Sequence, residues 1–129
     1  MKVYKNLIIH CAATPEQNDY TYEEIMGWFY SRGWENPGYR EITHPNGLIT
    51  VLQPYNSDKY VQPNEITNGV RGFNSDAIHL SLIGGTDDNG EPKNTFTRDA
   101  MDSLEHSVKK YLNMYSWLEV GGHNQFANK

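Results

Sequence analysis

Between residues 98 and 115 the side chains of Met101, Leu104, Val108, Tyr111, Leu112 and Tyr115 recur at the 3.6-residue period of an α-helix. Thr97 stands ahead of them as an N-cap. A helix with one apolar face must lay that face on another element, and the rest of the chain supplies strands. Residues 3–11 form a run of β-formers ending in His10-Cys11. Residues 77–83 alternate Ile78, Leu80 and Leu82 with His79 and Ser81, a strand with unlike faces.

The intervening segments complete the pattern. Residues 14–19 read as a loop. Thr21 and Glu24 fit a capping box, Ile25, Trp28 and Phe29 share one helical face, and Gly33 is a stop. Residues 34–38 form a turn. Strands at 39–43 and 48–52 flank His44-Pro45-Asn46-Gly47, where Asn-Gly signals a hairpin. Residues 54–73 and 84–94 are loops, and 117–120 is a last strand, broken by Gly121-Gly122 before His123. Interleaved strands and helices with a hairpin imply an α/β class, a mixed central β-sheet flanked by helices. The 129 residues are the size of a single domain.

Composition excludes several roles. Eleven Lys+Arg against sixteen Asp+Glu leave a net charge of −5, which argues against a partner bound through a nucleic-acid backbone. One cysteine rules out an intramolecular disulfide framework. No apolar run approaches the ~18 residues of a membrane-inserted helix. The N-terminal apolar stretch, Leu7-Ile8-Ile9, is shorter than the ~7–15 residues of a secretory signal, so cytoplasmic synthesis is expected. Oligomeric state is not readable.

Five histidines are the candidates for chemistry. His106 lies off the apolar stripe and His44 sits in a turn, so both read as structural or solvent-facing; His79 is either buried or lines a cleft. His10 and His123 each end a strand, where ligand sites gather, and two imidazoles distant in sequence can share one Zn²⁺. Cys11, adjacent to His10 on an extended strand, points to the other face and reads as a buried, inert thiol. Tyr39 is by composition a core or surface aromatic. Asn74-Ser75 is either a turn or a ligand contact. No phosphate loop or nucleophile elbow is present.

Taken in order, Ile8-Ile9-His10-Cys11-Ala12-Ala13-Thr14, Gly33-Trp34, Gly38-Tyr39, Gly72-Phe73-Asn74-Ser75, Gly84-Gly85 and the stretch Gly122 to Lys129 resemble the type 2 N-acetylmuramoyl-L-alanine amidases, phage endolysins among them, and the related peptidoglycan recognition proteins. The resemblance implies a mixed sheet with helices on both sides and one zinc. It also implies hydrolysis of the amide between N-acetylmuramic acid and the first L-alanine of the peptidoglycan stem. It makes His10 and His123 zinc ligands, Tyr39 the tyrosine beside the metal water and Lys129 the lysine assisting at the scissile carbonyl. Arg40 replaces the histidine that commonly follows this tyrosine, and should point to the opposite face.

The family's third ligand, a cysteine or aspartate shortly after the lysine, has no match, since the sequence ends at Lys129. The resulting expectation is a shortened amidase that keeps the fold and the muropeptide groove but has low or absent activity. A non-catalytic peptidoglycan-binding module, or a partner chain completing the site, are the alternatives. For substrate contacts, the aromatic and Asn-rich stretch 54–74 is the expected groove wall, with Tyr55, Tyr60 and Asn74 as candidates. On this reading the protein is cytoplasmic before release and acts on the cell wall.

Overall fold

The computed structural model describes residues 2–16 and 18–127. In chain order the elements are β1 (Asn6–Cys11), β2 (Thr14–Pro15), α1 (Tyr22–Tyr30), β3 (Glu41–Thr43), β4 (Ile49–Val51), a short 3-10 turn (Pro63–Glu65), β5 (Ala77–Leu82), β6 (Gly85–Thr86), α2 (Arg98–Met114), β7 (Glu119–Gly122) and α3 (His123–Ala127). The central sheet runs β4-β3-β5-β1-β7, and β2 with β6 forms a separate two-stranded piece. β1 lies parallel to β5 and β7, and β3 parallel to β5; only β4 is antiparallel. The mixed α/β sheet is therefore as the sequence implies.

Helix starts follow their caps. Thr21 N donates to Glu24 Oε1 at 2.9 Å while Glu24 N donates to Thr21 Oγ1 at 3.2 Å, closing the capping box of α1. Thr97 Oγ1 accepts from Ala100 N at 3.0 Å and donates to the Pro45 carbonyl at 2.5 Å, so the cap of α2 also clasps the hairpin. That hairpin turns at Asn46-Gly47, with Gly47 in the left-handed region at φ 88°.

Alternation along the strands sorts the core. Leu7 on β1 and Ile78, Leu80 and Leu82 on β5 pack with Leu104 and Tyr111 of α2. Their neighbours point the other way: Ile8 and Ala77 pack with Phe126 of α3, and Ile42 and Ile83 with Ile25 and Phe29 of α1. The sheet thus carries α2 on one face and α1 and α3 on the other. His10 and His79 share the parity of Ile8 and Ala77, which directs them to the α1/α3 face.

Several boundaries differ from expectation. The buried face of α2 is Ala100, Leu104, Ser107 and Tyr111, whereas Met101 is 45% exposed, one residue and ~100° around the helix from Ala100. The last strand runs through both glycines, pairing Gly121 with Ile8 and Gly122 with Ile9. Gly121 makes room for α3 folding back: a Cβ there would lie 2.4 Å from Gln125 Oε1 and 3.0 Å from the Phe126 ring. Within 14–19 and 84–94 the chain forms the small β2–β6 pair. The 54–73 loop is ordered by buried Glu65, whose carboxylate accepts from Asn56 N, Gln62 N and Tyr4 OH.

Candidate functional site

Strand register assembles the site. Gly122 is paired with Ile9, so the residues that follow them, His123 at the start of α3 and His10 on β1, stand side by side although 113 positions apart. Their Nδ1 atoms face each other at 3.0 Å and their ring centroids are 5.0 Å apart. On the other neighbour of β1, Ile8 pairs with His79, and the His79 Nδ1 reaches His10 Nε2 at 2.8 Å. The three rings form a row with His10 in the middle.

Burial sets the charge of the row. His10 is lowered to about 4, chiefly by desolvation and then by the positive potential of His123. His79, with no solvent exposure, is lowered to about 3, by desolvation first and then by His10, His123 and Arg40. Among the described residues no group meets His79 Nε2 at good hydrogen-bond geometry, although the Phe73 backbone favours protonation of that ring. Both imidazoles are neutral at pH 7, the state in which a histidine nitrogen binds a metal.

Tyr39 stands over the row, its ring 5.2 Å from that of His10 and edge-on to Phe29 of α1 at 5.6 Å. Burial raises its phenol above the ordinary value, so the hydroxyl remains a donor. Arg40, the next residue, lies on the opposite side with its guanidinium over the rings of Tyr4, Tyr55 and Tyr111, as alternation implies. Cys11 corrects the sequence reading. It is exposed at the end of β1, with its Sγ beside Gly85 of β6, and contributes to the rim of the cavity.

A cavity of about 630 Å³ opens over His10, His123 and Tyr39. One wall is aromatic: Phe29 and Trp34 stack with 5.9 Å between centroids, and the Arg32 guanidinium lies 5.2 Å from the Trp34 ring. The other wall is polar, with Asn68, Asn124 and Gln125. Trp34 and Asn68 also line a second cavity of about 530 Å³ reaching Asn36 and Pro63, so the depression continues along the surface. Sequence reasoning missed Phe29, Arg32, Asn68 and Gln125 as site residues, since each looks like an ordinary helix or loop residue until the fold places it.

Two facing histidine nitrogens would supply two of the four donors of a tetrahedral zinc. Nitrogens at 2.0–2.1 Å from one tetrahedral ion lie about 3.3 Å apart, close to the observed 3.0 Å. Among the described residues no group of three His, Cys, Asp or Glu side chains is placed to hold a metal. His79 is on the far side of His10 and does not join the pair. Lys129 lies outside the described residues. Asn74 and Tyr60 do not line the cavity: Asn74 Oδ1 accepts from Val70 N at 2.9 Å, and Tyr60 bridges to Val3 before β1 begins. His44 is structural, its ring nitrogens bonded to Asp19 and Thr50, and His106 is exposed.

The chain is 26% identical over 121 residues to an endolysin of Enterobacteria phage K11, covering 94% of this chain and 75% of that protein. The N-acetylmuramoyl-L-alanine amidase LysC from Clostridium intestinale superimposes with a TM-score of 0.73 over 95% of this chain and 72% of its own, at 20% identity. This chain shares its fold with that amidase and with peptidoglycan recognition proteins. Drosophila PGRP-LB superimposes with a TM-score of 0.72 over 96% of this chain and 74% of its own, at 16% identity. No family model matches the sequence. Within this fold, the His10–His123 pair sits just past the last β1–β7 pairing, Ile9 with Gly122, where the cavity opens.

Proposed function

We propose that the chain is a zinc-dependent N-acetylmuramoyl-L-alanine amidase of endolysin type, cleaving the bond between N-acetylmuramic acid and L-alanine in peptidoglycan. The observation that carries the reading is the 3.0 Å approach of His10 Nδ1 to His123 Nδ1 beside Tyr39, in a cavity of about 630 Å³. Similarity to phage endolysins across about 95% of the chain supports it. The site of action is then the cell wall. Among the described residues no helix is long and apolar enough to cross a membrane.

His10 and His123 would hold the ion. Zinc, when bound, supplies Lewis acidity toward the amide carbonyl and toward water. The chain's residues supply the rest. Tyr39, kept protonated by burial, donates its hydroxyl hydrogen toward the oxyanion that develops on the attacked carbonyl. Lys129 assists at the same carbonyl, as the family resemblance implies. Phe29 and Trp34 offer an apolar wall to a sugar face, and Arg32 a cation to a stem carboxylate. Asn74 and Tyr60 remain candidates for more distant contacts.

The test is incubation of the purified protein with purified peptidoglycan, reading newly freed alanine amino groups, and zinc content by atomic emission. About one zinc per chain with release of L-alanine-bearing stems that stops on chelation is the expected result. That no third ligand joins the pair among the described residues favours one other reading, a non-catalytic peptidoglycan-binding module. Tight muropeptide binding with neither zinc nor turnover would establish it instead.

A further inference from the structure

We propose that His79 is a positioning residue for His10, accepting the His10 Nε2 hydrogen at its own Nδ1, and that Gly69 exists to admit it. The inference rests on the zinc reading above and names the group that orients one of its ligands.

A neutral imidazole has one N–H and one lone pair, on different nitrogens. His10 has both nitrogens engaged: Nε2 toward His79 Nδ1 at 2.8 Å, and Nδ1 toward His123 Nδ1 at 3.0 Å. Only one allocation leaves a lone pair at Nδ1 for a cation shared with His123. The hydrogen must then sit on Nε2 and be accepted by His79. The reverse allocation, with His79 donating, puts the hydrogen of His10 on Nδ1 and closes the pair to a metal. A partner that fixes the tautomer and ring plane of a liganding histidine is a general requirement of such sites.

The surroundings are shaped for this contact. His79 has no solvent exposure and lies on the sheet face between α1 and α3, where an apolar residue would pack without a polar cost. Its one hydrogen-bond partner among the described side chains is His10. A Cβ on Gly69 would lie 2.3 Å from His79 Nδ1 and 2.8 Å from His10 Nε2, on top of the contact itself. The Gly69 backbone is outside the left-handed region, so space rather than conformation calls for glycine there.

The experiment combines nitrogen-15 NMR of histidine-labelled protein, metal-free and zinc-loaded, with zinc affinity by chelator competition. His10 is expected as the Nε2–H tautomer in both states. His79→Leu should weaken zinc about 10–100-fold with the fold retained. His79→Asn, whose side-chain oxygen lies near the Nδ1 position, should recover most of that loss, and Gly69→Ala should weaken zinc in the same direction as His79→Leu. A Nδ1–H tautomer at His10, or a leucine variant within about threefold of the parent, overturns the proposal. If the parent takes up no zinc, the amidase reading falls, while the tautomer of His10 in the metal-free chain still decides the His79 pairing. If the leucine variant does not fold, the tautomer in the parent decides it as well.

Discussion

His123 follows Gly122, and Gly122 is the strand partner of Ile9, so His123 arrives beside His10 with 3.0 Å between their Nδ1 atoms. The register of two parallel strands therefore does the work that a short sequence motif does in zinc-binding proteins. Gly121, which reads as a strand breaker, is what lets β7 run under α3.

Replacing either histidine should abolish tight zinc uptake. His10→Ala and His123→Ala are each expected to lower zinc affinity by more than about 100-fold, beyond the range for loss of a supporting partner. Zinc content after dialysis against a weak chelator reads this directly. Stoichiometric zinc in either variant would remove the pair from the site.

Tyr39→Phe deletes only a hydroxyl, and the ring contacts with His10 and Phe29 persist. Zinc content should be unchanged while turnover of peptidoglycan falls about 10²–10³-fold, the usual cost of one oxyanion donor. A loss confined to KM would instead assign Tyr39 to substrate binding.

Acid should destabilise the metal-free protein in a defined window. His10 and His79 are held neutral in the fold, lowered to about 4 and about 3, against about 6.5 in the unfolded chain. Between those limits the unfolded state binds more protons. The stability these rings contribute is therefore complete above about pH 6.5 and is lost as pH falls toward 4 and below. Thermal midpoints measured in chelator from pH 7.5 to 4 should drop, and the drop should be smaller in His79→Leu.

The hairpin clasp is open to a stability measurement. Gly47 has φ 88°, and a Cβ there would lie 3.2 Å from the Asp99 carbonyl oxygen at the start of α2. Gly47→Ala should cost about 1–2 kcal/mol from backbone strain alone. Urea unfolding would register it as a lower midpoint at unchanged slope.

Local order was legible in the residues themselves. The capping box at Thr21 and Glu24, the N-cap at Thr97, the Asn46-Gly47 turn and the alternation of β5 all depend on neighbours within a few positions, and all are present in the fold. His10 and His123 were recognisable as candidates because each stands at a strand end. Met101 and Cys11 were misplaced because exposure depends on which element covers a face, and periodicity alone does not say.

What the sequence by itself determined, then, is the set of elements and the identity of the two imidazoles. Tertiary structure alone decided that those imidazoles meet, that His79 backs one of them, and that Gly69 leaves the space for it. The physical reason is range. Helix periods and turns are set by contacts a few residues apart, whereas the register of β1 against β5 and β7 comes from pairing segments about 70 and 113 positions distant.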